Sequence, residues 1–244
     1  MVSRPRSIVV LTGAGISAES GIETFRAAEG LWANHHVDDV ATLEGFARNP
    51  QLVYEFYNQR RRQLLTPEIS PNAAHSALAK FEHEFGGEFL LVTQNVDNLH
   101  ERAGSENLIH MHGELLKMSC LNSKLIFDVS EDFDYDTQCR CCNSAGNLRP
   151  HVVWFGEMPL GLDVIDDALN ACSLFMSIGT SGNVYPAAGY VAQVRMAKRA
   201  RTVELNLEPS EGATLFERAI YGPASQIVPS FVDDLLTRGL AAAG

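Results

Sequence analysis

The sequence predicts an α/β fold, a doubly wound, Rossmann-like parallel sheet with a smaller inserted domain. Near-continuous apolar runs separated by stretches of helical periodicity are what strands covered on both faces require. The first run, residues 8–11, opens into Gly13-Ala14-Gly15, a turn whose missing side chains let the backbone approach a bound pyrophosphate at the N-terminus of a following helix. Two stretches, 33–68 and 117–148, break the alternation and read as insertions.

In a hydride-transfer fold, a second strand ending in an acid follows about 20 residues after the glycine turn. Residues 25–32 contain no β-branched run and read as a loop, so a dinucleotide handled without redox chemistry is expected. A purely structural turn is the alternative. Residues 33–68 are helical and polar. Ser70 then reads as the N-cap of a helix with Pro71 in its first position and Leu78, Phe81 and Phe85 along one face. Further strands are predicted at 89–93, 174–178 and 202–207, with a shorter one at 226–228. A closing helix buries Phe231, Leu235 and Leu236, and the Ala-rich end reads as a frayed tail. The predicted division is a Rossmann-like domain of residues 1–32, 69–116 and 149–244. The helical module 33–68 and the cysteine-rich module 117–148 make the small domain.

The 244 residues suffice for one large domain with an insert. No apolar run reaches the length of a membrane span and the first residues leave no room for a signal peptide, so a cytoplasmic protein without a membrane partner is expected. A net charge of -11 opposes binding to a nucleic-acid backbone. Of five cysteines, Cys120, Cys139, Cys141 and Cys142 share one segment, which in a reducing compartment points to a metal and not to disulfides. Cys172 reads as a small buried hydrophobe.

Gln94-Asn95-Val96-Asp97 directly follows the strand at 89–93, at the carboxyl edge where open α/β sheets bind ligands. A capped helix start with Asn95 or Asp97 as the cap would explain one of these side chains. His110 and His112 stand two apart with no third metal ligand near. Each reads either as a general base suited to neutral pH or as a hydrogen-bonded structural imidazole.

Gly13-Ala14-Gly15-Ile16-Ser17, Thr24-Phe25-Arg26, Gln94-Asn95-Val96-Asp97, His112-Gly113, Phe155-Gly156-Glu157, Gly179-Thr180-Ser181 and Asn206-Leu207-Glu208 occur in the order seen in sirtuins. The chain resembles that family of NAD-dependent protein deacylases over essentially its whole length. Residues 56–60 and 149–159 are similar to bacterial CobB-type members of class III. The resemblance implies that NAD is consumed: the acyl-lysine carbonyl oxygen attacks C1′ of the nicotinamide ribose, nicotinamide leaves, and the acyl group departs on ADP-ribose. It implies His112 as general base on a ribose hydroxyl and Asn95 as the group positioning ribose or water. Asp97 and Ile16 would hold the nicotinamide carboxamide, Gly13, Ala14, Gly15 and Ser181 would lie by the phosphates, and Gln94 and Arg26 near the reacting ribose. Glu19, Phe25, Trp32, Gly179 and Thr180 belong to the implied NAD set. Asn206, Leu207 and Glu208 would bind the adenosine ribose, supplying late the acid missing early, with Ala224 bordering the adenine.

Acylated lysines of extended peptides are the implied partners, bound by strand-like pairing to Phe155, Gly156, Glu157 and the segment containing Val184. Val153 and Phe155 would line the lysine channel. Tyr57 and Arg60, three apart on a helix, share a face. The resemblance makes them readers of a succinyl or malonyl carboxylate, with Ala41 leaving room for it. From spacing alone, Arg60, Arg61 and Arg62 read as a solvated basic face and Tyr57 as core. The family's zinc site takes two Cys-x-x-Cys pairs, whereas here Cys120 is followed three positions on by Ser123. Cys120, Cys139 and Cys142 match as ligands, and Cys141 is free to replace one or complete the set. An NAD-linked oxidoreductase and a non-catalytic NAD or ADP-ribose sensor are the rival readings.

Overall fold

The computed structural model describes residues 7–23, 31–33 and 35–243. The chain begins with β1 (Ser7–Thr12), a small hairpin of β2 (Leu31–Trp32) and β3 (His35–His36), and helices α1 (Val37–Val40), α2 (Leu43–Arg48), α3 (Pro50–Leu64) and α4 (Ala73–Phe85). It continues through β4 (Glu88–Thr93), α5 (Leu99–Ala103), β5 (Leu108–His110), β6 (Gly113–Cys120), β7 (Ile126–Asp128) and β8 (Leu148–Val152). Then come α6 (Leu162–Ala171), β9 (Leu174–Ile178), α7 (Tyr190–Ala197), β10 (Arg201–Asn206), β11 (Arg218–Tyr221) and α8 (Ala224–Arg238).

Six strands form one parallel sheet in the order β11-β10-β9-β1-β4-β5. Alternation along β1 divides the core. Ile8 and Val10 join Leu78 and Phe81 of α4 and Phe231 and Leu235 of α8 on one face, while Val9 and Leu11 join Ile165 and Leu169 of α6 and Val191 and Val194 of α7 on the other. Each fully buried side chain of this size contributes about 1.5–3 kcal/mol. The fold is doubly wound, as expected. A second, antiparallel sheet, β7-β6-β8, carries the cysteine segment and reaches from Gly113 to Val152. Helix α3 packs beside it through Val53, Phe56 and Tyr57, against Leu115 and Trp154. No helix among the described residues is long and apolar enough to cross a membrane.

Four expectations need correction. Residues 226–228 lie in α8, not in a strand, because Val228, Phe231, Val232 and Leu235 recur at helical spacing on its buried side; so short an apolar run carries no period of its own. The strand at that edge is β11 instead. Helix α4 is capped by Asn72, two residues after Ser70: its side chain accepts from the Ala74 N–H, and the His75 ring accepts from the Asn72 N–H. The Ala-rich end is not frayed, since Ala242 and Ala243 are fully buried and Arg218 donates to the Ala242 carbonyl. The glycine turn enters two 3₁₀ turns, Ala14–Ile16 and Ala18–Ser20, where an α-helix was expected.

Candidate active site

The sheet order reverses at β1, because the chain pairs β4 on one side of it and β9 on the other. Crevices at such reversals, beyond the carboxyl ends of the strands, are where open α/β sheets bind ligands. Here the Gly13 N–H donates to the Ile178 carbonyl (3.0 Å) and the Gly15 N–H to the Gly179 carbonyl (2.9 Å). A Cβ on Gly15 would stand 2.8 Å from the Gly179 Cα, and one on Gly179, whose φ is +63°, 2.4 Å from the Ile16 nitrogen. Bare backbone at both loops is therefore a steric requirement.

A cavity of about 520 Å³ opens over this junction. The two glycine loops contribute Gly13, Ala14, Gly15, Gly179, Thr180 and Ser181 to its lining. Asn206, Leu207 and Glu208 border it after β10, and Gln94, Asn95 and His112 after β4 and β5. Val153, Phe155, Gly156 and Glu157 after β8, together with Val184, Trp32 and Ala41, are the other expected residues that line it. Ile16, Glu19, Asp97, Ala224, Tyr57 and Arg60 are not in the lining, while Phe25 and Arg26 lie outside the described residues.

His112, between β5 and β6, is held by the segment after β4. Its Nδ1 sits 3.1 Å from the Gln94 carbonyl, which only accepts, so Nδ1 carries the proton and Nε2 keeps a lone pair. Burial pushes its pKa below the ordinary imidazole value, and the Gln94 hydrogen bond opposes this without reversing it. The result is a neutral base at neutral pH. Asn95 donates through Nδ2 to the Gly13 carbonyl and to Ser17 Oγ, both at 3.2 Å, which ties the β4 loop to the glycine turn.

Under the cavity lies a polar layer centred on Ser17. Its hydroxyl donates to Asp97 Oδ2 (3.0 Å), and His75 Nε2 approaches it at 3.4 Å. Burial holds His75 down to about 4, hence neutral. Asp97 also accepts from the Leu99 N–H (3.1 Å), so it serves the helix start as well as the Ser17 layer. Glu19 accepts from both the N–H and the hydroxyl of Ser225, joining the glycine turn to the start of α8 beside Ala224. Glu204 is buried in β10 and receives the hydroxyls of Ser210 and Tyr221, which fastens the loop after Glu208.

The pattern that defines the Sir2 family matches residues 13–186 of this sequence. An NAD-dependent protein deacylase of Salmonella typhimurium (strain LT2) is 62% identical over 236 residues, covering 97% of this chain and 86% of that protein. One from Escherichia coli (strain K12) is 61% identical over 241 residues, covering 99% and 85%. The chain belongs to the Sir2 family. Among solved structures, a Sir2 homologue in complex with NAD superposes with a TM-score of 0.85 at 35% identity over 96% of this chain and 90% of that one. A Sir2 bound to acetylated peptide gives 0.80 at 27% identity, over 94% and 93%.

In this Sir2-family chain the segment after β8 is braced from behind. Arg149 forms a bidentate pair with Glu157 (2.6 and 2.8 Å), lies 3.6 Å over the Trp154 ring, and donates to the Val152 carbonyl. Burial opposes ionisation of Glu157, but the Arg149 hydrogen bonds outweigh it and hold the carboxyl below its usual range. Glu157, expected among substrate residues, thus fixes the loop that presents Phe155 and Gly156. Tyr57 is fully buried and accepts from Trp154 Nε1 at 2.9 Å. Arg60 stacks 3.8 Å over Phe56, and its Nε has no partner among the described residues. The solvated basic face is not formed as a unit: Arg61 is fully buried, bonded to Asn58 and the Leu115 carbonyl, Arg60 is half-buried, and Arg62 is exposed and paired with Asp132.

The four clustered thiols are positioned to hold one metal ion. Their sulfurs lie within 4.8 Å of one another, with Cys120–Cys142 at 4.0 Å and Cys139–Cys141 at 3.3 Å. A tetrathiolate zinc with bonds of about 2.3 Å needs sulfurs about 3.8 Å apart, so the donor set and spacing fit. Cys141, left open by spacing, completes the set. The Ser123 hydroxyl stands 3.2 Å from its sulfur, so Cys141 lies beside the position where the first pair is broken. Sequence reasoning missed Ser17, Glu204 and the Arg149 brace. The available signals were an acid inside an apolar strand run at Glu204 and an arginine four residues before Val153, the residue expected to line the channel.

Proposed function

We propose that this chain removes acetyl and succinyl groups from protein lysines at the expense of NAD, releasing nicotinamide and transferring the acyl group to ADP-ribose. The observation that carries the reading is His112, a neutral imidazole with a free Nε2 on the cavity wall, held against the loop whose Asn95 is bonded to the glycine turn. When bound, NAD supplies an activated ribose carbon at which the acyl-lysine carbonyl oxygen displaces nicotinamide. The side-chain-free backbone of the two glycine loops would lie against the pyrophosphate, and Asn206 and Glu208 would face the adenosine ribose. Asn95 would orient the reacting ribose, and His112 Nε2 would take a proton from its hydroxyl. Val153 and Phe155 would wall the lysine side chain from water, with the peptide backbone pairing to Gly156 and to the segment holding Val184. Asp97 and Ile16, lying just beneath, would meet the carboxamide through the turn they support.

The helical module 33–68 and the cysteine module 117–148 are read as one small domain bordering this cleft. Zinc, bound by Cys120, Cys139, Cys141 and Cys142, would be structural, because four protein thiolates leave no open position for chemistry. A thiolate metal site of this kind suits a reducing, cytoplasmic setting.

Selectivity for a distal carboxylate is assigned to Tyr57 and Arg60. The Tyr57 oxygen accepts from Trp154, which leaves its own O–H to donate, and Arg60 Nε is an uncommitted donor. Replacing Tyr57→Phe with Arg60→Met removes two charge-assisted donors at about 1.5–3 kcal/mol each. Desuccinylation should fall about 100-fold or more while deacetylation of the same peptide changes by less than about three-fold. Parallel kcat/KM measurements check this, and equal loss of both activities would refute it.

A further inference from the structure

His110 is a side chain the reaction does not use, yet it is only 8% exposed and both its ring nitrogens are committed. Nδ1 lies 3.0 Å from the Asn95 carbonyl and Nε2 lies 2.7 Å from Glu101 Oε1. A carbonyl oxygen and an ionised carboxylate both only accept, so the ring must donate at both positions, which requires the imidazolium. Two residues on, His112 reaches the neighbouring carbonyl, that of Gln94, with one nitrogen only. The two histidines therefore hold consecutive carbonyls of one loop in different protonation states.

We propose that His110 is a positioning residue for turnover: as an imidazolium clamped between the Asn95 carbonyl and Glu101, it holds the Gln94-Asn95 segment, and through it the orientation of His112, against the glycine turn. This rests on the deacylase reading above. When His110 loses a proton, the remaining N–H stays with the anionic Glu101, where the hydrogen bond is charge-assisted. A bare Nδ1 lone pair then faces the Asn95 carbonyl oxygen, and the loop is pushed from its seat.

The groups facing the ring are Glu101 and His100 from α5, Asp97 from the loop before it, and Glu114 and Lys117 from β6. Burial opposes the charge on His110, but the Glu101 hydrogen bond and charge outweigh it and raise the pKa above the ordinary imidazole value. Burial pushes His100 the opposite way. Glu101, His110 and Glu114 also have the composition of a cation site. Lys117 already neutralises Glu114 at 2.8 Å, and His110 has no lone pair left to offer.

The test follows kcat with acetylated peptide and saturating NAD from neutral to alkaline pH, while NMR follows the His110 Cε1–H resonance in the intact protein. The wild type should lose activity at alkaline pH with the midpoint at which this resonance titrates. Glu101→Gln should move both to lower pH by about one unit or more, leaving the acid limb in place. His110→Gln should lower kcat about ten-fold or more, lack that alkaline limb and keep the peptide KM, an outcome that a loss of stability alone would not produce. An alkaline limb unmoved in Glu101→Gln, or persisting in His110→Gln, overturns the clamp. If neither variant folds, the wild type decides: coincident midpoints support the clamp and separate midpoints refute it. A fully active His112→Ala would instead sink the deacylase reading, which keeps the two failures apart.

Discussion

Replacing His112 with alanine should lower kcat for acylated peptide by about 10²- to 10⁴-fold, the range that general-base catalysis supplies. At 1.36 kcal/mol per decade this is a loss of about 3–5 kcal/mol of transition-state stabilisation. The expectation follows from the tautomer: with Nδ1–H donated to the Gln94 carbonyl, Nε2 is the one ring atom able to accept a proton. The glycine loops and the Asn206-Leu207-Glu208 corner are untouched by the change, so the NAD KM should move little. The pH dependence has a defined sign. Burial depresses the His112 pKa, so the base form persists below the ordinary imidazole range and activity is lost only as pH falls through that lowered value. In His112→Ala this acid limb should vanish with the activity. Steady-state kinetics across acid to neutral pH check both points.

The second large effect is expected from the thiol cluster. Cys139→Ser, Cys142→Ser, Cys120→Ser and Cys141→Ser should each lose stoichiometric zinc by elemental analysis. Loss of a structural metal belongs to the class of changes that exceed about 4–5 kcal/mol, which in a chain of this size corresponds to a fall in Tm of about 10–20 °C. Cys120 and Cys139 are buried within a small cluster built on Met118, Phe133 and Leu148, so the ion's absence should loosen β6 and β8 together. Because β8 leads into Val153 and Phe155, peptide binding should weaken as well. Cys172→Ala, in the parallel-sheet core, should retain zinc. Cys141→Ser is the informative member: if it keeps its zinc as Cys172→Ala does, Cys141 is not the fourth ligand.

Much of this architecture was legible because local and global signals agree. The run at 8–11 followed by Gly13 and Gly15 can be read as strand and turn, and Gly13–Gly15, Gln94–Asn95, Gly179–Ser181 and Asn206–Glu208 each sit at the carboxyl end of a parallel strand. Shorter or longer-range features were not legible. The three-residue β5 has too few residues to show a period, and it hid inside a histidine motif. Ser70 and Asn72 flank Pro71 as equally good caps, and the bonds from the Ala74 N–H to Asn72 and from the Asn72 N–H to His75 together select Asn72. The thiol corner taken by Cys141 cannot be read from a spacing rule, since Ser123 occupies the place where the rule looks. His110 and His112 looked alike in sequence. Their different acceptors, a carbonyl plus a carboxylate against a single carbonyl, give them different protonation states.

The central claim is that this pocket breaks the bond between ribose and nicotinamide in order to remove an acyl group from lysine. The most direct measurement is product analysis by mass spectrometry after incubating the protein with NAD and an acetylated or succinylated peptide. Free lysine peptide, nicotinamide and O-acyl-ADP-ribose should appear together in equal amounts. Deacylated peptide with the NAD intact, or reduced nicotinamide in place of free nicotinamide, would contradict it.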